Sequence, residues 1–117
     1  MASARLDKIV DDELKARLTQ ANEQLRAGKA TEAVRGLADT FLWMLRTRPE
    51  MLDATVPLRA GRTMPLVMRW PALGANLSLA SVRAREPQIE FVRDRFALSE
   101  AITYFEFTLD TAIAQGF

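Results

Sequence analysis

Glu86, Glu90 and Asp94 recur every four residues, and on a helix that spacing gathers three carboxylates on one face. Oxygen ligands converging in this way are the beginning of a divalent-cation site. The same spacing also describes a solvated acidic face, paired with Arg93 or a basic neighbour. No second ligand-bearing stretch accompanies the three carboxylates, so the expectation is that no metal is held. Asp11-Asp12-Glu13 is a different case. Consecutive helical positions point in different directions, and the run reads as first-turn acidity, which the helix dipole favours.

The remaining reactive groups are few. The chain has no histidine and no cysteine. That removes the imidazole that moves protons near neutral pH, the thiolate nucleophile, and the nitrogen and sulfur ligands of zinc sites. Ser78, Ser81 and Ser99 have no histidine to activate them, and a serine–lysine pair could draw only on Lys8, Lys15 or Lys29, around which no motif is built. Arg59-Ala60-Gly61-Arg62-Thr63 is a basic, glycine-containing loop able to touch a phosphate. It lacks the Gly-Lys-Ser/Thr ending of a phosphate-binding loop and reads as a basic turn. Acid–base catalysis needs a carboxylate whose pKa a neighbour has raised, and no spacing singles one out. The expectation is a protein that is not an enzyme, with no catalytic residue, metal or cofactor.

These groups belong to a chain of 117 residues, of which 49% are hydrophobic and 26% charged, a globular composition. A chain of this length buries roughly two-thirds of its unfolded surface, enough for one self-sufficient core, and residues 1–117 read as a single helical domain. The longest strongly apolar run, Phe41 to Leu45, is far shorter than the roughly 18 residues of a membrane span. No leader-like apolar stretch opens the chain, and the absence of cysteine suits a reducing compartment. The expectation is therefore a cytoplasmic protein with no membrane partner. The net charge of +1 conceals an asymmetry. Residues 44–85 carry seven arginines against Glu50 and Asp53, whereas residues 86–117 carry two arginines against six acids. Either the two segments neutralise each other or the basic one meets an acidic partner.

Hydrophobic periodicity supplies the elements. Leu6, Val10, Leu14, Leu18, Ala21 and Leu25 fall on one face of a helix over 5–27, which Gly28 closes. Thr31 is placed to cap a second helix running to about Thr47, with Val34, Leu37, Ala38, Phe41, Leu42 and Leu45 as its buried stripe. The short turn between them predicts an antiparallel hairpin. Ser99 is placed to cap a final helix ending near Gln115, with a stripe of Ala101, Ile102, Phe105, Leu109, Ala112 and Ile113. The middle is less regular. Pro49–Asp53 suits one helical turn, and Pro65–Trp70 a strand or short helix. Residues 71–85 suit a helix beginning at Pro71, and 86–96 a short helix, each with a strand as the alternative. The fold expected is mainly α, a bundle of four to five helices with the option of a small β-hairpin within 55–95.

Two aromatic residues fall off their stripes. At about 100° per residue, Trp43 lies about 180° from Val34, beside Glu32, Asp39 and Gly36, with Gly36 leaving a flat spot. Phe107 lies among Glu100, Thr103, Glu106 and Asp110. Either the irregular middle covers both rings, or they meet a second chain, since interfaces are enriched in aromatic residues and arginine. The stretch Gly28-Lys29-Ala30-Thr31-Glu32-Ala33 is similar to the inter-helix turn of tetratricopeptide repeats, here in a single copy. The hairpin resembles the start of the small four-helix HEPN bundles, whose Arg-to-His motif a histidine-free chain does not contain.

The functional expectation is a non-enzymatic protein–protein interaction module, a homodimer or a small adaptor or accessory subunit of a larger assembly. Trp43, Gly36 and Phe107 are its candidate contacts, with Arg69 and Trp70 second. The alternative is a nucleic-acid-associated accessory protein using Arg59, Arg62, Arg69 and Arg83 of the Arg-rich segment 46–85, since guanidinium binds phosphate and Trp stacks on bases.

Overall fold

The computed structural model describes residues 2–69, 75–77, 80–81 and 84–117. In chain order these form α1 (Ala2–Leu6), α2 (Asp12–Arg26), α3 (Ala30–Thr47), a 3-10 turn (Pro49–Asp53), β1 (Thr55–Pro57), β2 (Thr63–Pro65), α4 (Leu66–Arg69), β3 (Ala75–Leu77), β4 (Ile89–Phe91) and α5 (Leu98–Ala114). The fold is mainly α with a small β part inside the 55–95 window. No helix among the described residues is long and apolar enough to cross a membrane. Two compact units are formed, one from Met1–Met44 with Asp94–Phe117 and the other from Leu45–Arg93.

In the first unit, the helix expected over 5–27 is broken. The Asp11 carboxylate accepts the Leu14 N–H at 2.9 Å, which caps α2 and stops the helix from running back through Ile9 and Val10. The break redirects the side chains. Ile9 is buried, whereas Val10, expected in the stripe, is 83% exposed. The Val10 and Asp11 N–H groups both donate to the Phe117 carbonyl at 2.7 Å. Asp11→Ala is therefore expected to cost about 1 kcal/mol, measured as a lower denaturant midpoint with fraying of the first turn of α2. Arg5 of α1 donates to both Glu106 and Asp110, one turn apart on α5.

Gly28, at φ 75°, reverses the chain into α3. The antiparallel pairing of α2 and α3 is visible in two cross-approaches, Gln24 facing Gly36 and Arg17 over Trp43. Thr31 does not cap α3 as expected. It lies within the helix, and its Oγ1 accepts the Phe96 N–H at 3.2 Å, fixing the entry to α5. Ser99 likewise lies inside α5. There the Glu100 carboxylate accepts the Ala97 N–H at 3.0 Å, satisfying one end-of-helix donor.

α5 packs against α2, and its buried face is rotated from the expected stripe. Ala101, Tyr104, Phe105, Thr108, Leu109, Thr111 and Ala112 are buried, while Ile102 is 44% exposed. The Tyr104 ring meets Phe96 edge-on at 5.9 Å, and the Thr108 hydroxyl donates to the Tyr104 carbonyl, so this buried hydroxyl is satisfied.

In the second unit, β1 and β2 pair antiparallel with Val56 opposite Met64, and β3 and β4 pair antiparallel with Asn76 opposite Glu90. The β1–β2 turn places Ala60 at φ 61° and Gly61 at φ 71°, the doubly left-handed geometry that matches strand twist. Leu66 N–H donates to the Ala54 carbonyl at 2.9 Å and seats α4 beside the 3-10 turn. Met51, Leu52, Leu66 and Val67 are buried. The segment 86–96, expected first as a helix, instead contributes β4. The alternation Ile89-Glu90-Phe91 lets it pair with β3.

Candidate functional site

The acidic triplet loses its basis once 86–96 is not a helix. Glu86 precedes β4, Glu90 lies in it and Asp94 follows it, so helical spacing no longer aligns them. Among the described residues no group of three or more metal-ligating side chains is assembled.

The described basic candidates lie at the β1–β2 turn and on α4. Arg59 and Arg62 stand exposed at the β1–β2 turn beside Leu58, which is 42% exposed. Arg69 is exposed at the end of α4. Trp70 and Arg83 lie outside the described residues. Elsewhere in this unit Arg46 and Arg85 line two neighbouring cavities of ≈ 370 and ≈ 320 Å³. Glu50, Asp53 and Glu86 line them too, so the first carries two arginines against two acids and the second two against one, and Arg85 pairs with Asp53 at 3.3 Å.

The two off-stripe aromatic residues are half-buried, covered in part by their own unit. The Trp43 ring lies 6.0 Å from that of Phe117, and the Arg17 guanidinium sits 5.5 Å over it in cation–π geometry. Phe107 lies 6.3 Å from the ring of Phe41. Within the unit, Phe117 and Arg17 meet the Trp43 ring and Phe41 meets the Phe107 ring, and both rings stay half-buried. The rotation of α5 toward Tyr104 brings Phe107 to the margin of the interior, and Phe117 returns to cover one side of Trp43.

One sequence signal does lead to a built feature. Between α2 and α3 runs a groove of ≈ 230 Å³ lined by Arg17, Gln20, Ala21, Gln24, Gly36, Asp39 and Thr40. Gly36 forms part of its floor because it has no side chain. Its φ is not left-handed, and a Cβ added there would meet only Gln24 Oε1 at 3.7 Å, an ordinary contact at the tip of a flexible side chain. Alanine would therefore fit. Glycine in a helix interior costs roughly 0.5–1 kcal/mol relative to alanine, and no contact within the unit requires it. The Gly36 carbonyl accepts the Thr40 hydroxyl at 2.7 Å, which keeps that hydroxyl turned down into the helix.

The walls differ in charge. α2 contributes Arg17, whose Nε donates to Glu13 at 2.9 Å. α3 contributes Asp39, which has no ion-pair partner among the described residues. α2 also contributes Gln20 and Gln24, whose amides can each donate and accept. Trp43 does not line the groove itself but lies under Arg17, which does. The site therefore combines Gly36 and Trp43, both legible in the sequence, with Arg17, Gln20, Gln24 and Thr40, which became visible only through the register of α2 against α3. No protein-family model, curated protein or solved structure matches this chain.

Proposed function

We propose that the protein is a non-enzymatic, cytoplasmic protein–protein interaction module, acting as a homodimer or as a small subunit of a larger assembly, and that the α2–α3 groove is its contact surface. The observation that carries this reading is Gly36. A position where alanine fits is left bare in the middle of an 18-residue helix, two turns from a half-buried tryptophan on nearly the same face. A bare helix position permits close approach by another backbone or ring, and Trp and Arg are the side chains that most often anchor such contacts.

The test compares the full chain with Gly36→Ala and Gly36→Gln. Gly36→Ala is expected to gain roughly 0.5–1 kcal/mol of stability. Gly36→Gln fills the groove from an accessible position and is expected to keep the wild-type circular dichroism. Light scattering of each purified protein and affinity capture from cell extract then report association. Wild-type association that Gly36→Gln abolishes supports the reading. Equal behaviour of wild type and Gly36→Gln in both assays overturns it.

A second reading rests on the exposed β1–β2 turn, where Arg59 and Arg62 form no ion pair among the described residues. In that reading the turn touches nucleic-acid phosphates. The same capture distinguishes it, because nucleic acid would be held equally by wild type and Gly36→Gln and would be released steeply by salt.

A further inference from the structure

We infer that the occupant of the groove is a second copy of this chain, crossing it about a twofold axis at the level of Thr40, with Trp43 of each copy over Gly36 of the other. This rests on the groove being a contact surface and goes further by naming its partner and geometry.

An isologous interface requires a surface complementary to itself, and three observations supply one. The first is the spacing on α3. Gly36 and Trp43 are separated by seven residues, which at about 100° per residue places them on nearly the same face, about 10 Å apart along the axis. When two copies of α3 cross antiparallel about their midpoint, the bulky ring of one falls on the bare position of the other, twice over. The second is the charge on the two walls. Arg17 on α2 has its Nε bound to Glu13, which leaves the two terminal nitrogens to form a forked contact. Asp39 on α3 is exposed and has no ion-pair partner among the described residues. The same axis directs Arg17 of each copy toward Asp39 of the other. The third is the pair of amides, Gln20 and Gln24, which match their own kind because each carries a donor and an acceptor. A groove built for an unrelated acidic or basic partner would carry one sign of charge. This one carries one of each on opposite walls.

The experiment is a reciprocal charge exchange in the full chain, read by light scattering over a concentration series. Wild type is expected to be dimeric. Asp39→Arg alone sets two like charges against Arg17 in both halves of the interface, and Arg17→Glu alone does the same against Asp39. Each variant by itself is expected to dissociate at least about tenfold more readily. Mixed in equal amounts, they restore both opposite-charge pairs and are expected to recover dimers. Gly36→Gln is expected to be monomeric whatever its partner.

Circular dichroism checks that each variant folds. Arg17 also covers Trp43, so if Arg17→Glu unfolds, the outcome rests on Asp39→Arg, whose side chain has no ion pair to lose within the unit. A dimeric Asp39→Arg protein overturns the proposal, as does failure of the folded variants to recover dimers on mixing. A monomeric wild type also overturns it. If such a monomer still captures another protein in a Gly36-dependent way, the second copy is excluded while the interaction module stands. If it captures nothing, both readings fall.

Discussion

Replacing Phe117 with alanine is expected to remove about 3–5 kcal/mol of stability, the range for truncating a buried phenylalanine. Phe117 is the last residue of its unit and is buried within it. It is 2% exposed, its ring packs against Trp43, and its carbonyl accepts the N–H groups of both Val10 and Asp11. The ring thus holds one side of α3, and the carbonyl holds the turn between α1 and α2. Phe117→Ala removes the ring and leaves the carbonyl, so the cost measures packing alone. A loss of this size should lower the thermal midpoint by more than about 10 °C. The coupling with Trp43 can be checked directly. In a double-mutant cycle, Phe117→Ala and Trp43→Ala should fall short of additivity by about 0.5–1.5 kcal/mol, the scale for an aromatic pair. Additive losses would show that the two rings do not support each other.

Phe41→Ala should be comparably severe, about 3–5 kcal/mol, because Phe41 is fully buried in the stripe of α3. Its ring neighbour Phe107 is half-buried, so Phe107→Ala should cost about half as much or less, since the burial contribution scales with the area removed from water. The contrast separates two roles for Phe107. A residue serving only an intermolecular contact would leave the unfolding midpoint of the dilute protein unchanged when truncated. A residue that also caps the interior lowers it. The expected intermediate loss assigns Phe107 to the margin of its own unit, and denaturant titration at low protein concentration measures it.

The long elements were legible because they are long and periodic. Leu14, Leu18 and Ala21, then Val34, Leu37, Ala38, Phe41 and Leu45, repeat every three or four residues and are all buried. What escaped the pattern has specific causes. The break before α2 was concealed because Leu6 and Val10 continue the repeat in phase, while the signal that decides the local structure is one carboxylate, Asp11, with its bond to the Leu14 N–H. The rotation of α5 was concealed because Tyr104 and threonines 108 and 111 count as polar, yet all three are buried, Tyr104 edge-on to Phe96 and Thr108 with its hydroxyl bonded to the Tyr104 carbonyl. The β pairing of 75–77 with 89–91 was weighed only as an alternative, since three-residue strands leave almost no periodic trace. In the groove, Gly36 and Trp43 were marked by being wrong for their positions. Arg17, Gln20 and Gln24 are ordinary outward-facing residues of α2, and only the register of two antiparallel helices gives them a shared purpose.

Arg5 gives α1 its own consequence. Five residues are too few to sustain a helix in water, so α1 persists through Leu6 beneath it and the forked grip of Arg5 on Glu106 and Asp110. Arg5 is 31% exposed and Asp110 65%, so salt screens that grip in part. High salt is therefore expected to loosen the hold of Arg5 on α5 while Leu6, whose burial owes nothing to charge, stays seated.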